Sequence, residues 1–186
     1  FGHSALRVYD PIVGIDYAFF YGDLDSTKDS FFLNLITNNF TSEFKRIRYS
    51  FFRMNYRFNQ RDLIEQLMFL NGKQKQLIFD LLQATVNNGY YDYLYFKNNC
   101  STALLNVINL AVPDPKTDRT IKSLTYRSSI SPYISDNPGL EFVVDLSLGI
   151  RADKPIKEIF LPINLKEYLE DRKLVNRLVV NNTHSK

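Results

Sequence analysis

The chain has 186 residues, of which 45% are apolar, and 23 Lys and Arg against 20 Asp and Glu give a formal net charge of +3. The length predicts one domain over residues 1–186, the apolar content excludes a disordered chain, and the mild charge argues against a nucleic-acid partner. One cysteine excludes a disulfide framework and a cysteine-rich zinc site, and two histidines leave little for any other metal site.

The start of the chain predicts an antiparallel hairpin. Residues 3–9 alternate roughly between apolar and polar side chains and end at the turn signal Asp10-Pro11. Residues 15–21 are rich in aromatic side chains, which favours a second strand, with a short loop between the two. Residues 45–58 alternate again and predict one long strand or two shorter ones.

The middle of the chain predicts three helices. The first runs from Asn59, a suitable N-cap, to about Leu70. The second spans residues 73–87 and is stopped by Gly89. The third covers residues 101–110 and ends before a pair of prolines.

The last third of the chain has weaker patterns. They predict helices at residues 119–130 and 138–148, a short helix at 163–171 after Pro162, and a final strand at 178–180. The whole layout is α+β, with a small antiparallel sheet and helices packed on it.

Cys100 is the most informative single residue. It follows Asn99, a favourable helix N-cap, and precedes an amphipathic run, so we expect its thiol in the first turn of a helix. There the helix dipole favours the thiolate, and the backbone N–H groups of Asn99-Cys100-Ser101 can form an oxyanion hole. The alternative is a buried structural cysteine, which is a common role for this residue.

His3 begins the first predicted strand and is the one histidine outside the C-terminal tail. A general base must lie within hydrogen-bond reach of the thiol, which the sequence does not reveal across 97 positions. The alternative is an ordinary edge or capping histidine. Papain-like enzymes usually place the cysteine before the histidine, and the reverse order seen here is that of circularly permuted versions of that fold.

Several short motifs follow one another along the chain: Phe1–Val8 (FGHSALRV), Asp16-Tyr17 with Tyr21-Gly22, Asn99–Thr102 (NCST), Asp145–Gly149 (DLSLG) with Ala152-Asp153, and Phe160-Leu161-Pro162. Together they resemble the Lnb-type N-terminal periplasmic domain family. That family is similar to NlpC-type and lecithin:retinol acyltransferase-type thiol enzymes, which pair a strand histidine with an Asn-Cys motif. The resemblance implies a circularly permuted papain-like (NlpC-type) fold, with Cys100 as nucleophile and His3 as base.

The activity that the resemblance implies is lipoprotein N-acyltransfer, described in Bacteroidetes. An acyl chain moves from a phospholipid donor to the α-amino group of a lipoprotein acceptor, through a thioester on the cysteine. Neither a metal nor another cofactor is required, and contact with a membrane surface is expected. We also expect a periplasmic or envelope location, with an export signal before Phe1 and a membrane tether in the parent protein.

Two other functions stay open. The chain would be a papain-like cysteine hydrolase of the envelope, an amidase or peptidase, if the acceptor were water. It would be a non-catalytic binding domain if Cys100 were structural. A long apolar groove at the thiol would favour lipid, and a polar open cleft would favour peptide.

A third residue should orient His3. Permuted relatives place it on the neighbouring strand, where Tyr21 is expected to lie roughly opposite His3. Asp16 is the second candidate, because a carboxylate orients an imidazole well, although it lies toward the far end of the hairpin. Family members often have Asn-Tyr-Gly where this chain has Phe20-Tyr21-Gly22. Ordinary strand packing is the alternative for both residues.

A basic stretch without acidic residues follows the hairpin and contains Lys45, Arg46, Arg48, Arg53, Arg57 and Arg61. We interpret it as a contact surface for phospholipid headgroups, with solvated strand faces and structural pairs as the alternative. Aromatic clusters at residues 17–21 and 90–96 are candidates for an acyl groove, although such clusters more often form the core.

Overall fold

A computed structural model describes residues 2–21, 40–94, 98–114, 121–136, 138–157 and 159–182. Its strands are β1 (Ala5–Asp10), β2 (Ile15–Tyr21), β3 (Phe40–Arg48), β4 (Leu63–Met68), β5 (Tyr90–Tyr93), β6 (Ile121–Thr125), β7 (Pro155–Ile156) and β8 (Val175–Asn182). Its α-helices are α1 (Tyr49–Phe58), α2 (Gly72–Asn88), α3 (Cys100–Ala111), α4 (Tyr126–Ile130), α5 (Pro138–Leu148) and α6 (Pro162–Asp171). Short 3-10 helices cover Ser131–Tyr133 and Gly149–Asp153.

The predicted α+β class is confirmed. The main sheet is antiparallel, with the strand order β1-β2-β3-β5, so β1 lies at its edge. Two smaller antiparallel pairs, β4-β8 and β6-β7, complete the strands of the described residues.

The first hairpin forms as predicted. The side chain of Asp10 accepts a hydrogen bond from the N–H of Ile12 at 2.8 Å, which closes the turn after β1. Gly14 has a φ of +72°, in the left-handed region that favours glycine, and β2 begins at the next residue.

The main sheet is covered on both faces because the residues of β2 alternate between them. Phe19 and Tyr21 pack with Phe44 against α2 and α3. Phe20, on the other face, packs against the aromatic side of α1, which includes Phe52. A strand that is apolar in nearly every position is therefore buried on both sides.

Four of the predicted helices are confirmed, with small differences at their ends: α2, α3, α5 and α6. The Asn71 side chain caps α2 and exchanges hydrogen bonds with Gln74, and Gly89 follows the helix with a φ of +75°. Pro162 is the first residue of α6, where its missing N–H has no cost.

The prediction of strand over residues 45–58 is wrong after Arg48, where α1 begins. The alternation of apolar residues in this stretch favoured a strand. In the structure, Tyr49, Phe52 and Tyr56 are buried on one side of α1, because a spacing of three and four residues brings side chains to one helix face.

The prediction of a helix over residues 59–70 is also wrong, because residues 63–68 form β4. This strand pairs with β8, and Ile64 lies opposite Val180. Gln66 donates further hydrogen bonds to the Lys166 carbonyl and to Glu170 of α6. The residues that make this segment a strand by pairing with it lie at the other end of the chain. The periodicity of residues 59–70 therefore carries no information about that pairing.

The predicted helix at residues 119–130 is confirmed only in its second half. Residues 121–125 form β6, and α4 follows with Thr125 as N-cap. Residues 119 and 120 lie outside the described residues. The predicted strand at 178–180 is part of β8.

A polar cluster ties the hairpin to α1 and β4. The Arg7 guanidinium donates to both oxygens of Asp16, at 2.7 and 3.1 Å, and to Glu65 at 3.0 Å. Its Cζ atom also lies 3.7 Å from the centre of the Tyr49 ring, whose hydroxyl donates to Glu65. Burial raises the pKa of Tyr49, and the hydrogen bond to the Glu65 carboxylate raises it further.

Alkaline pH should weaken the fold through Tyr49. Because its pKa is above the ordinary value of 10.0, the unfolded chain releases this proton at a lower pH than the folded chain. The stability that the protonated phenol contributes is complete below pH 10 and is lost as the pH rises through the folded pKa. Above pH 10 the free energy of unfolding of the wild-type protein should therefore fall. We expect this fall to be smaller in Tyr49→Phe, measured by urea titration at a series of pH values. An equal fall in both proteins would contradict this.

Candidate active site

Cys100 is the first residue of α3, and Asn99 caps that helix as predicted. The Asn99 side-chain oxygen accepts hydrogen bonds from the N–H of Ser101 at 2.9 Å and of Thr102 at 3.0 Å. In return, the Thr102 hydroxyl accepts from the N–H of Asn99 at 2.8 Å. The thiol therefore lies in the first turn of a well-capped helix, at the positive end of its dipole.

The cap restricts the predicted oxyanion hole. The N–H of Ser101 is engaged by Asn99, and the Asn99 amide itself donates to the Phe160 carbonyl at 2.8 Å. In this arrangement Asn99 does not engage the N–H of Cys100. The oxyanion role of Asn99 and Ser101 stays a prediction, and what the structure describes for both is the helix cap.

A buried hydrogen bond joins the segment of His3 to the segment of Cys100. The hydroxyls of Ser4 and Ser101 lie 3.0 Å apart, although these residues are 97 positions apart in the chain. Ser101 is fully buried, and its hydroxyl is 4.0 Å from the Cys100 sulfur. The neighbours of the predicted base and of the predicted nucleophile are thus in direct contact.

A short segment before α6 makes a second link between the same two regions. Asn99 donates to the carbonyl of Phe160, as described above, and Gly2 packs against Pro162, 3.5 Å from where a Cβ on Gly2 would lie. Gly2 has a φ of +84°, which a residue with a side chain rarely adopts. The residues on either side of the site are therefore anchored to one piece of chain.

A row of aromatic rings runs from His3 to the inner face of α1. The His3 ring meets Phe20 edge-on at 5.5 Å, Phe20 contacts Phe52 at 5.5 Å, and Phe52 contacts Tyr56 at 4.8 Å. Burial raises the pKa of Tyr56, the Arg61 guanidinium opposes this, and the charge of Cys100 adds to it. Tyr56 packs in the cluster on the Phe20 face of the sheet, whereas Cys100 packs in the cluster on the Phe19 face.

The thiol itself is shielded from bulk water. Cys100 is 5% exposed and belongs to an apolar cluster that includes Phe19, Tyr21 and Leu104. Part of the aromatic cluster at residues 17–21 thus belongs to the same buried core as Cys100. Of the second cluster, Tyr93 is buried, and residues 95–97 lie outside the described residues.

Tyr21, the first candidate for orienting His3, lies one position away from the expected register. Ala5 pairs with Phe20, so the next position along the hairpin brings Ser4, not His3, opposite Tyr21. The Tyr21 side chain packs on Phe44, and a hydrogen bond with Thr85 partly offsets the rise in its pKa that burial causes. Its hydroxyl is thus directed to α2, on the sheet face away from Phe20.

Asp16, the second candidate, is not brought to His3. It pairs with Tyr9, six residues along β1 from His3, which corresponds to about 20 Å of strand. Both of its carboxylate oxygens accept hydrogen bonds from Arg7. The position of Asp16 in the hairpin therefore serves the polar cluster with α1 and β4.

Sequence reasoning missed the contact of Ser4 with Ser101 and the place of Tyr56 in the row of rings from His3. Ser4 adjoins His3 in the FGHSALRV motif, which was a signal for it. No local signal marked Tyr56, because its position follows from the packing of α1 on the sheet. Among the residues that the structure describes, no group of three or more His, Cys, Asp or Glu side chains is arranged to hold a metal ion.

The basic residues between Lys45 and Arg61 differ in what their side chains contact. Arg46 donates to Gln83 of α2 at 2.9 Å and lies over the Tyr17 ring. Arg61 is exposed and lies 4.7 Å from the centre of the Tyr56 ring. The three arginines that are exposed along or just before α1 are Arg48, Arg53 and Arg57.

Comparison with known families matches residues 1–131 to the Lnb N-terminal periplasmic domain, and the match includes both His3 and Cys100. The chain belongs to this family. The Lnb-type domain is therefore periplasmic, as predicted. No curated protein and no solved structure matches it. None of its described helices has the length and apolar character needed to cross a bilayer.

Two matched asparagine caps allow the importance of Asn99 to be measured. Asn71 caps α2 in an exposed position, whereas Asn99 caps α3 while buried and bonded to Phe160. We expect Asn71→Ala to lower the free energy of unfolding by about 1 kcal/mol and Asn99→Ala by about 2–3 kcal/mol, because a buried carbonyl also loses its donor. Urea titration of both variants checks this, and equal losses would contradict it.

Proposed function

We propose that this Lnb-type domain is a thiol-dependent N-acyltransferase with a circularly permuted papain-like fold, in which Cys100 is the nucleophile and His3 the general base. The observation that carries the proposal is the buried Ser4–Ser101 hydrogen bond, since it holds the segments of these two residues together. The start of α3 adds the positive end of a helix dipole at the sulfur.

In the first half of the reaction, the Cys100 thiolate attacks the carbonyl carbon of a phospholipid ester. A C–S bond forms, the bond between the acyl carbon and the glycerol oxygen breaks, and the lysophospholipid leaves with the proton that His3 had taken from the thiol. The acyl chain then remains on Cys100 as a thioester.

In the second half, the α-amino group of a lipoprotein attacks the thioester. His3 accepts a proton from the amine, the C–S bond breaks, and the thiolate is restored as the amide forms. With water as the acceptor, the same steps release a fatty acid, which is the hydrolase alternative.

Two features of the surroundings support a lipid donor. The sulfur lies among apolar and aromatic side chains, including Phe19 and Tyr21, which suit a hydrocarbon chain better than a polar peptide. Arg61, stacked on Tyr56 at the exposed side, offers a guanidinium that can pair with a lipid phosphate.

A third residue that acts beside Cys100 and His3 has a new candidate. Tyr21 and Asp16 are engaged elsewhere, whereas Tyr56 ends the row of rings that begins at His3. Its phenol is protonated at neutral pH, since its ordinary pKa of 10.0 is raised further by burial. Its hydroxyl can donate a hydrogen bond to charge that develops in the transition state.

The proposal predicts that both Cys100 and His3 are required. We expect Cys100→Ala and His3→Ala each to lower acyl transfer roughly a thousandfold or more, because residues that act as a unit are needed together. His184→Ala is the matched control and should keep full activity. The measurement is the acyl count of lipoproteins by mass spectrometry in cells that depend on each variant.

An unchanged triacylated lipoprotein population with Cys100→Ala would overturn the proposal. With purified protein, phospholipid and a lipopeptide, release of lysophospholipid without amide formation would identify the hydrolase instead.

The burial of Cys100 favours the third possibility, a structural thiol. In that case the thiol would react slowly with an alkylating reagent at neutral pH, and His3→Ala would not change that rate.

A further inference from the structure

Helix α1 carries apolar side chains on the side that faces away from the protein. Phe51, Met54 and Phe58 are 56%, 60% and 86% exposed. They follow one another at spacings of three and four residues, which places them along one line of the helix. We call these three residues the α1 ridge.

The α1 ridge lies opposite the face by which the helix is held to the sheet. Tyr49, Phe52 and Tyr56 form the buried face. At about 100° per residue, the centres of the two sets are separated by roughly 160° around the helix axis. Within the described ranges, the ridge therefore takes no part in the packing of α1 on the sheet. A cluster of exposed apolar side chains usually marks a binding surface.

Positive charge lies beside the α1 ridge. Arg53 and Arg57 are exposed on one flank of the helix, and neither forms an ion pair within the described part of the chain. Arg48 and Arg61, both exposed, stand just before and shortly after the helix. The sequence has no acidic residue from Phe44 to Arg61.

An exposed apolar line with arginines beside it is the pattern of helices that lie in the surface of a bilayer. The apolar side chains enter the boundary of the acyl chains, and the arginines pair with anionic headgroups. A protein partner with the same complementarity would need an acidic and apolar surface at once. The absence of acidic side chains on α1 favours the anionic lipid surface.

We propose that α1 is the membrane-docking element of this domain and that the α1 ridge, with Arg53 and Arg57, seats it on an anionic phospholipid surface. This inference extends the proposed function, since it names the surface from which the acyl donor enters. It rests on different residues, so each can fail without the other.

The place of α1 in the fold connects docking to the surroundings of His3. Phe52, on the inner face of the helix, contacts Phe20, and Phe20 meets the His3 ring edge-on. A domain seated by the α1 ridge would therefore turn the sheet face that carries Phe20 and His3 toward the lipid headgroups. The Arg61 guanidinium lies over the ring of Tyr56 and is exposed.

The experiment measures binding and catalysis separately. Cys100→Ala protein, which is unable to form the thioester, is sedimented with vesicles of mixed phosphatidylglycerol and phosphatidylcholine. Two variants are made in this background: Phe51→Ser/Met54→Ser/Phe58→Ser and Arg53→Gln/Arg57→Gln. We expect the first to lower the vesicle partition coefficient on the order of tenfold or more, and the second by roughly fivefold per arginine, with a weaker dependence on salt.

Helix α5 offers a matched control. Phe142 and Leu146 are exposed and lie one turn apart on it, but the acidic residues Glu141 and Asp145 adjoin them. We expect Phe142→Ser/Leu146→Ser to leave vesicle binding unchanged, since apolar exposure without positive charge does not select an anionic surface. Thermal unfolding of every variant checks that the exposed substitutions preserve the fold.

The outcomes are distinct. Reduced vesicle binding by the α1 variants and not by the α5 variant supports the proposal. The proposal is overturned by equal binding of all variants, by the absence of vesicle binding by the Cys100→Ala parent, or by a dimer in analytical ultracentrifugation that the ridge substitutions dissociate. With Cys100 restored, the ridge variant should keep its reactivity toward a short water-soluble ester. Reactivity toward this ester depends on the proposed chemistry and not on membrane docking. Its loss in Cys100→Ala would support the chemistry, and its loss in the ridge variant would show that the ridge substitutions act on more than docking.

Discussion

The buried hydrogen bonds of Asn99 hold together the pieces of chain that meet at Cys100. One oxygen caps α3 through two backbone N–H groups, and the amide nitrogen binds the Phe160 carbonyl. Because an unsatisfied polar group at this 4% exposed position would be costly, the start of α3 and the segment before α6 depend on each other. The Ser4–Ser101 bond then attaches the edge strand of the sheet to the same point.

His3 and Ser4 lie just before β1, which is the edge strand of the main sheet. Consecutive residues of β2 face opposite ways, so Phe19 packs in the cluster of Cys100 and Phe20 contacts His3. In the middle of a sheet, groups on opposite faces are separated by the backbone layer. Past the end of an edge strand that separation ends, and side chains from both layers can approach one another.

Helix α1 is apolar on two opposite sides, which is not the pattern of an ordinary surface helix. Its inner aromatic residues fix it to the sheet, and its outer ridge is left facing solvent. The inner side packs Phe52 against Phe20, which contacts His3, and Arg53 and Arg57 lie on one flank beside the ridge. A single helix thus joins the surroundings of His3 to an exposed apolar and basic surface.

The sequence by itself determined the elements whose boundaries depend on neighbouring residues: the first hairpin, α2 with its cap at Asn71, and α3 with Cys100 after Asn99. It also carried the motifs by which the family was identified. Only the tertiary structure decided that residues 49–58 are a helix and 63–68 a strand, because the first depends on packing against Phe20 and the second on pairing with β8. It likewise decided that the Asp16 carboxylate accepts a hydrogen bond from Arg7 and that the hydroxyls of Ser4 and Ser101 are in contact. Side-chain contacts between distant parts of a chain leave no trace in local periodicity, since they depend on register and packing that form only in the folded state.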